Sequence, residues 1–385
     1  MTDNREQGLL PAGFSDVLAP EAENEAEAVA RLMAVFAAQG YRRVKPPLLE
    51  FEESLLMGPG AALAPQLFRL MDPISQRMMG LRADMTPQIA RMVMARLGGA
   101  ARPLRLCYTG QVLRVRGSQL RPERQFGQAG VELIGSVGVA GEHEVVALAA
   151  AALRTLGVPR LSIDLTLPRL VPAVAAALGL DDDRAAAARR ALDAKDAGAL
   201  ARIPGVAGTP LAALLRLPGE ADQALAGLGR LDLGAEGAAL VGHLADLVAG
   251  LKGAQPDLTL TVDAGECRGF EYQTGFGFTV FAAGVRGELG RGGRYPIPSG
   301  EQAVGFTLYL DSILRALTPP APPRRVYLPA GTRHETGRNL RADGWITVAA
   351  LGPDPDPAAA ARAQDCGHVW RDGAARALND PGEAP

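Results

Sequence analysis

The segment LRLCYTGQVLRVRGSQLRPERQFGQAGVELIG, Leu104–Gly135, decides how the rest of the chain is read. Two runs mixing apolar, β-branched and aromatic residues, Leu104–Leu113 and Gln125–Ile134, flank a polar connection in which Gly117 and Pro122 supply the turn residues. The pattern predicts a β-hairpin with a long basic loop. Five arginines, Arg105, Arg114, Arg116, Arg121 and Arg124, lie on or beside that loop. Alternate residues of a strand share a face, so Phe126, Gln128, Gly130 and Glu132 point one way and Val131 and Leu133 the other. A glutamine and a glutamate on one face, with a glycine between them, form a polar wall suited to a small ligand. Taken alone, the same face reads as the solvated side of a surface hairpin; the remainder of the chain favours the pocket.

Composition narrows the function classes. The 385 residues suffice for two or three domains with their own cores. A net charge of −2 and a pI near 6.2 give no basic field to draw the chain to nucleic acid or anionic lipid. Hydrophobic residues make up 48%, much of it alanine, which predicts abundant, closely packed helices. Cys107, Cys267 and Cys366 are far apart and odd in number, against a disulfide framework or a zinc site. His143, His243, His334 and His368 are equally scattered, so neither a metal nor a cofactor is expected. The polar N-terminus has no apolar leader and no uncharged run reaches membrane-spanning length, so a cytoplasmic location is expected.

In chain order, Pro20 opens an amphipathic helix, Glu21–Gln39, with Val29, Leu32, Met33 and Phe36 on its apolar stripe and Gly40 ending it. A strand follows at Tyr41–Lys45, then strand-like segments at Gln66–Asp72 and Arg77–Leu81 about the turn PISQ. RADMTPQIARMVMARL reads as a loop entering a helix, with Thr86 as N-cap, Pro87 at the first helical position and Ile89, Met92 and Val93 buried. Asp84 before it faces a ligand or is only a turn residue.

Beyond the hairpin, Gly141–Leu156 is an alanine-rich helix and Arg160–Thr166 a strand. Residues 169–256, rich in leucine, alanine and charge in helical register, are expected to be a helical insertion packed by itself. Strands return at Leu258–Val262, Phe276–Phe281 and Val285–Gly293, and the glycine-dense GVRGELGRGGRY suggests a tight strand crossing rather than a phosphate loop. A strand then turns into a helix through EQAVGFTLYLDSILRAL, with Phe306, Leu310, Ile313 and Leu314 apolar. Residues 319–325 form a stiff Pro-rich linker, so the core is expected to span 1–318. VYLPA, WITVAAL and HVW, separated by helical pieces at Arg333–Ala342 and Pro357–Ala363, predict a small α/β domain over 326–378. A disordered tail is expected over 379–385.

These motifs resemble the class II aminoacyl-tRNA synthetases, and histidyl-tRNA synthetase among them. Gly40–Glu53, with Pro47 to Glu50, resembles motif 1, the dimer-forming strand; VLRVR followed by RPERQFGQAGVE resembles motif 2; AVGFTLYLDSI resembles motif 3. LRADMTPQIAR and RGFEYQTG resemble the histidine-specific segments. The resemblance covers about residues 8–318. It implies an α+β fold, an antiparallel sheet flanked by helices, and self-association as a dimer through the motif 1 region.

The resemblance also marks what has changed. Arg114 stands where the motif 2 arginine grips the ATP α-phosphate, but Arg116 replaces the acidic residue that accepts from the adenine amino group. A guanidinium only donates, so that contact is lost. Ser312 stands where the motif 3 arginine covers adenine, and Tyr309 where the family has glycine. The nucleotide site is thus degenerate, and no catalytic residue for aminoacylation is assigned. On the amino-acid side, the resemblance implies that Asp84 and Thr86 meet the α-amino group. By the same resemblance Gln128, Glu132 and Tyr272 would line the pocket, with Glu132 reading the imidazole. It implies too that Arg114 meets the carboxylate side and Arg268 the centre where a synthetase performs its chemistry. An anion and a cation suit a zwitterion, and an acceptor plus a donor suit an imidazole. Gln273 departs from the family's tyrosine.

LPAGFSDVL, RLCYTGQVLR and QAGVELIG resemble the synthetase-like regulatory subunits of ATP phosphoribosyltransferase. That resemblance implies a non-catalytic partner of the short-form catalytic subunit, required for the first step of L-histidine biosynthesis and transmitting histidine inhibition. The alternatives are an active histidine–tRNA ligase and a tRNA-independent, synthetase-like ligase; both need ATP.

Overall fold

The computed structural model describes residues 9–117, 121–267, 273–318 and 321–378. The chain divides into two compact units, Met1–Thr318 and Pro319–Pro385. In the first, the strands in chain order are β1 (Arg42–Arg43), β2 (Leu49–Phe51), β3 (Phe68–Met71), β4 (Met78–Leu81), β5 (Leu104–Leu113), β6 (Gln125–Ile134), β7 (Leu161–Thr166), β8 (Gly219–Glu220), β9 (Thr259–Val262), β10 (Gly277–Ala282), β11 (Gly290–Pro296) and β12 (Gln302–Tyr309). Nine of them form one sheet in the order β1-β5-β6-β12-β11-β10-β7-β9-β8. Only β1–β5 and β7–β9 are parallel. A separate small sheet, β2-β4-β3, carries the PISQ turn, whose Asp72 carboxylate accepts from the backbone N–H groups of Ile74 and Ser75.

The central hairpin has the bounds read from the sequence, and its ten-residue strands pair throughout, Leu104 opposite Ile134 and Leu113 opposite Gln125. Its two faces meet different cores. Ala129, Val131 and Leu133 pack against helix Glu21–Ala38 and helix Val139–Leu156 in the large core. Phe126 and Ile134 face a smaller core completed by Met85, Ile89 and Val93 around helix Thr86–Arg96. Glycine makes the tight turns that end the first two of these helices: Gly40 at φ +82° and Gly157 at φ +93°.

Four expectations need correction. Thr86 is not an N-cap: it is the first helical residue, and the Asp84 carboxylate accepts its backbone N–H at 2.9 Å. This leaves the Thr86 hydroxyl free to turn toward the sheet. The strand expected at Val285–Gly293 begins only at Gly290 and runs to Pro296, because Gly284 and Gly287 take positive φ and break the extended chain. The insertion does not pack by itself. Its helices, among them Leu170–Ala177, Asp182–Asp193 and Gly234–Ala254, bury Leu170, Val174, Leu192, Leu244 and Leu251 in the same core as β6 and β7. It also lends the edge strand β8 to the main sheet.

The second unit holds β13 (Arg325–Leu328), β14 (Ile346–Ala349), β15 (His368–Arg371) and β16 (Ala374–Ala377), in the order β14-β13-β15-β16. Helices His334–Ala342 and Pro357–Ala363 connect the parallel strands. The fourth correction is β16, which the sequence reading lacked: alanine-rich AARA pairs antiparallel with β15. The tail expected to be disordered lies outside the described residues.

Candidate functional site

The site is a hollow on the sheet face that packs against helix Thr86–Arg96, and strand register explains why it is there. Across three adjacent strands, Glu132 of β6 lies opposite Gly305 of β12, which lies opposite Gly293 of β11. Two glycines in a row beside a carboxylate leave space where neighbouring strands would carry side chains. A Cβ on Gly305 would come within 2.0 Å of Glu132 Oε2, and one on Gly293 within 2.5 Å of Gln273 Oε1. The next row is similar: Tyr108 of β5 faces Gly130 of β6, and a Cβ on Gly130 would meet the Tyr108 hydroxyl at 2.5 Å. The resulting cleft, about 210 Å³ with the solvent at its mouth, is lined by Glu132, Thr86, Gln273, Arg291, Tyr295 and Thr307, with the glycines as floor.

Glu132 is the chemical centre. It is 1% exposed, accepts from Tyr295 Oη at 2.7 Å and lies 3.4 Å from Tyr108 Oη. Burial pushes its carboxyl up to about 8, against the lowering effect of hydrogen bonds from Tyr295 and Thr86. Tyr108 joins the cluster together, at 2.9 Å from Thr307 Oγ1 and 3.4 Å from Thr86 Oγ1. Burial and then the charge of Glu132 hold its hydroxyl well above the usual range.

Of the residues singled out in the sequence, Asp84, Thr86, Arg114, Gln128 and Glu132 are brought together. Gln128, fully buried, accepts from Met85 N–H at 3.2 Å and donates to Asp84 Oδ2 at 3.1 Å. Arg114 lies 3.8 Å from the same carboxylate oxygen and donates to Ala83 O at 3.2 Å. An anion and a cation therefore stand side by side next to a buried carboxyl. Arg268 and Tyr272 lie outside the described residues. Tyr108, Tyr295 and Arg291 were missed by sequence reasoning. Period-2 alternation in β5 and β11 carried the signal, but only the register identifies the partner face.

Two of the residues named as a degenerate nucleotide site, Tyr309 and Ser312, share one partner. Arg121, 9% exposed, lays its guanidinium 3.8 Å from the Tyr309 ring centroid and donates to Ser312 Oγ at 3.1 Å. It also donates to Asp311 Oδ2 at 3.3 Å. The hairpin loop thus places its own cation on the ring, at the positions the resemblance gives to the adenine platform. Arg116 is exposed. No group of three or more His, Cys, Asp or Glu side chains among the described residues could hold a metal ion, and no described helix is long and apolar enough to cross a membrane.

This sheet and its hollow define a class II aminoacyl-tRNA synthetase-like core. A family model described as histidyl-tRNA synthetase matches residues 13–313. The histidyl-tRNA synthetase of Nostoc sp. PCC 7120 shares the fold, with a TM-score of 0.79 at 19% identity over 95% of this chain and 92% of that one. Within that class the relatives are narrower. The chain is 54% identical to the ATP phosphoribosyltransferase regulatory subunit of Rhodospirillum centenum over 97% of both chains. It is also 54% identical to that of Paramagnetospirillum magneticum, over 96% of this chain and 97% of the other. A solved structure from Bacillus halodurans, described as an ATP phosphoribosyltransferase regulatory subunit/histidyl-tRNA synthetase, matches with a TM-score of 0.80 at 26% identity, over 94% of this chain and 97% of that one. The chain belongs to the family of ATP phosphoribosyltransferase regulatory subunits.

Proposed function

We propose that this chain is the non-catalytic regulatory subunit of an ATP phosphoribosyltransferase, and that the hollow around Glu132 binds histidine as the feedback effector. It acts with a short-form catalytic subunit in the first step of histidine biosynthesis. The observation that carries this reading is the contrast within one sheet. The amino-acid side keeps a buried carboxyl, Glu132, beside an anion–cation pair, Asp84 and Arg114. On the nucleotide side, Arg121 sits on Tyr309. A protein so built senses an amino acid without activating it. Its relatives' names point the same way.

Histidine inhibits only by binding one state of the assembly better than another, with coupling of about 1–3 kcal/mol. The chain self-associates through the motif 1 region. Exposed apolar side chains in and near that region, Leu48, Leu49, Leu70, Met71, Ile74 and Met78, support this.

The test mixes this chain with a short-form phosphoribosyltransferase and measures phosphoribosyl-ATP formation with and without histidine. Stimulation on mixing, reversed by histidine, is expected. An absence of both stimulation and co-elution refutes the reading, as does robust ATP–pyrophosphate exchange by the chain alone.

A further inference from the structure

Two arginines stand before one aromatic platform. Arg121 takes it: its guanidinium lies 3.8 Å from the Tyr309 ring centroid and is anchored by Ser312 Oγ at 3.1 Å and Asp311 Oδ2 at 3.3 Å. Arg114 is its neighbour, since both guanidiniums lie over the ring of Phe126, at 5.0 Å for Arg121 and 5.1 Å for Arg114. Phe126 in turn meets Tyr309 edge to face, with centroids 6.0 Å apart. Burial and then the charge of Glu288 raise the Tyr309 hydroxyl, and the charges of Arg291, Arg114 and Arg121 pull it back. Arg114 is therefore within electrostatic reach of the platform as well. It nevertheless points the other way: Nε donates to Ala83 O at 3.2 Å, and Nη2 lies 3.8 Å from Asp84 Oδ2. Those holds are weak, one neutral acceptor and an ion pair longer than a hydrogen bond. The face of a buried tyrosine is a competing seat for a guanidinium. With Arg121 on it that seat is filled, and like-charge repulsion at short range turns Arg114 toward Asp84.

We propose that Arg121 is a positioning residue for the amino-acid end of the hollow: by occupying Tyr309 it keeps Arg114 beside Asp84, where that cation meets the carboxylate of the bound amino acid. This rests on the reading of the hollow as a histidine site and gives a task to residues outside it. The former nucleotide platform is not idle, because it seats the cation that confines its neighbour. Without Arg121, Arg114 moves to the vacant ring and leaves the carboxylate unmet. Without Tyr309 as well, Arg114 has no seat to move to and stays.

The experiment is calorimetry on the full chain with L-histidine and with L-histidinol, which keeps the imidazole and the amine but carries a hydroxymethyl group in place of the carboxylate. The ring is common to both ligands, so its contact with Glu132 cancels in the ratio of their affinities, and the ratio reads the carboxylate end alone. Wild type is expected to prefer L-histidine by at least about tenfold, the worth of one charge-assisted hydrogen bond. Arg121→Ala should shrink that preference by about fivefold or more through L-histidine, with L-histidinol held within about twofold of wild type. Arg121→Lys, which keeps a cation for the ring, should retain the preference. So should the double variant Arg121→Ala/Tyr309→Leu, which removes the seat with its occupant. An unchanged preference in Arg121→Ala overturns the inference alone, whether both affinities hold or fall together, and so does a double variant with no more preference than the single one. Should Arg121→Ala fail to fold, Asp311→Asn, which only loosens the anchor of Arg121, must shrink the preference in the same direction; no change there overturns the inference. Equal wild-type affinity for the two ligands also overturns it. A wild-type chain that takes up neither ligand, by itself or with the catalytic subunit, overturns the reading of the hollow and this inference with it.

Discussion

Glu132→Gln should remove a pH dependence of stability that the wild-type chain carries. The Glu132 carboxyl has an ordinary value of 4.5 and is pushed up by burial to about 8 in the folded state. Between those values the folded chain holds a proton that the unfolded chain has released. Stability therefore falls as pH rises through this window and levels off above it; below 4.5 both states are protonated and nothing is lost. At 1.36 kcal/mol per pH unit, the full displacement amounts to at most roughly 4–5 kcal/mol, trimmed by water reaching the cleft. Glutamine matches the protonated carboxyl in shape and keeps an oxygen for Tyr295. The variant should thus match wild type near pH 5 and exceed it by several kcal/mol at pH 9. Urea unfolding of both proteins at pH 5, 7 and 9 isolates this one group, since the other titrations cancel in the difference. A difference that stays flat from pH 5 to 9 refutes the claim that a buried, protonated carboxyl sits in the hollow.

Other consequences follow from the same geometry. Gly305→Ala puts a methyl where Glu132 Oε2 lies 2.0 Å away, and should abolish histidine binding by calorimetry; unchanged affinity would place the ligand elsewhere. Arg121→Ala removes the cation from Tyr309 and should cost about 1–2 kcal/mol in urea unfolding. It should still give no ATP binding by equilibrium dialysis, because Arg116 and Ser312 are unchanged; ATP uptake by this variant would show the nucleotide site to be blocked rather than lost. Glu142, fully buried, holds Arg294 at 2.5 Å, so Glu142→Ala should destabilise by about 3–5 kcal/mol. A loss under about 1 kcal/mol in thermal or urea unfolding would contradict the burial argument.

Local periodicity made much of this readable in advance. The hairpin strands, their two faces and the pairing of Gln128 with Glu132 across Gly130 follow from a period of two, which needs no tertiary information. What was not legible depends on register between distant segments. Tyr295 reaches Glu132 only because β12 inserts between β6 and β11, and no spacing in the sequence encodes that order. Arg121 was visible as one loop arginine among several; its fold back onto Tyr309 was not. Threonine before proline favours a cap at Thr86, but Asp84 is better placed to accept the orphan N–H. The abrupt change of composition at the insertion predicts a self-contained unit, yet its leucines lie in the common core. Strand β16 escaped notice because alanine is a poor strand former.

The shared core gives β11 a mechanical role. Arg294 sits between Gly293 and Tyr295, two residues of the cleft, but its guanidinium points through the opposite face to Glu142 and to the carbonyls of Ser136 and Gly138. Glu142 in turn holds His243 on insertion helix Gly234–Ala254. A polar strut therefore runs from the cleft's own strand, through Arg294 and Glu142, to a helix on the far side. Any shift of β11 would either carry that helix along or separate the buried Glu142 carboxylate from Arg294.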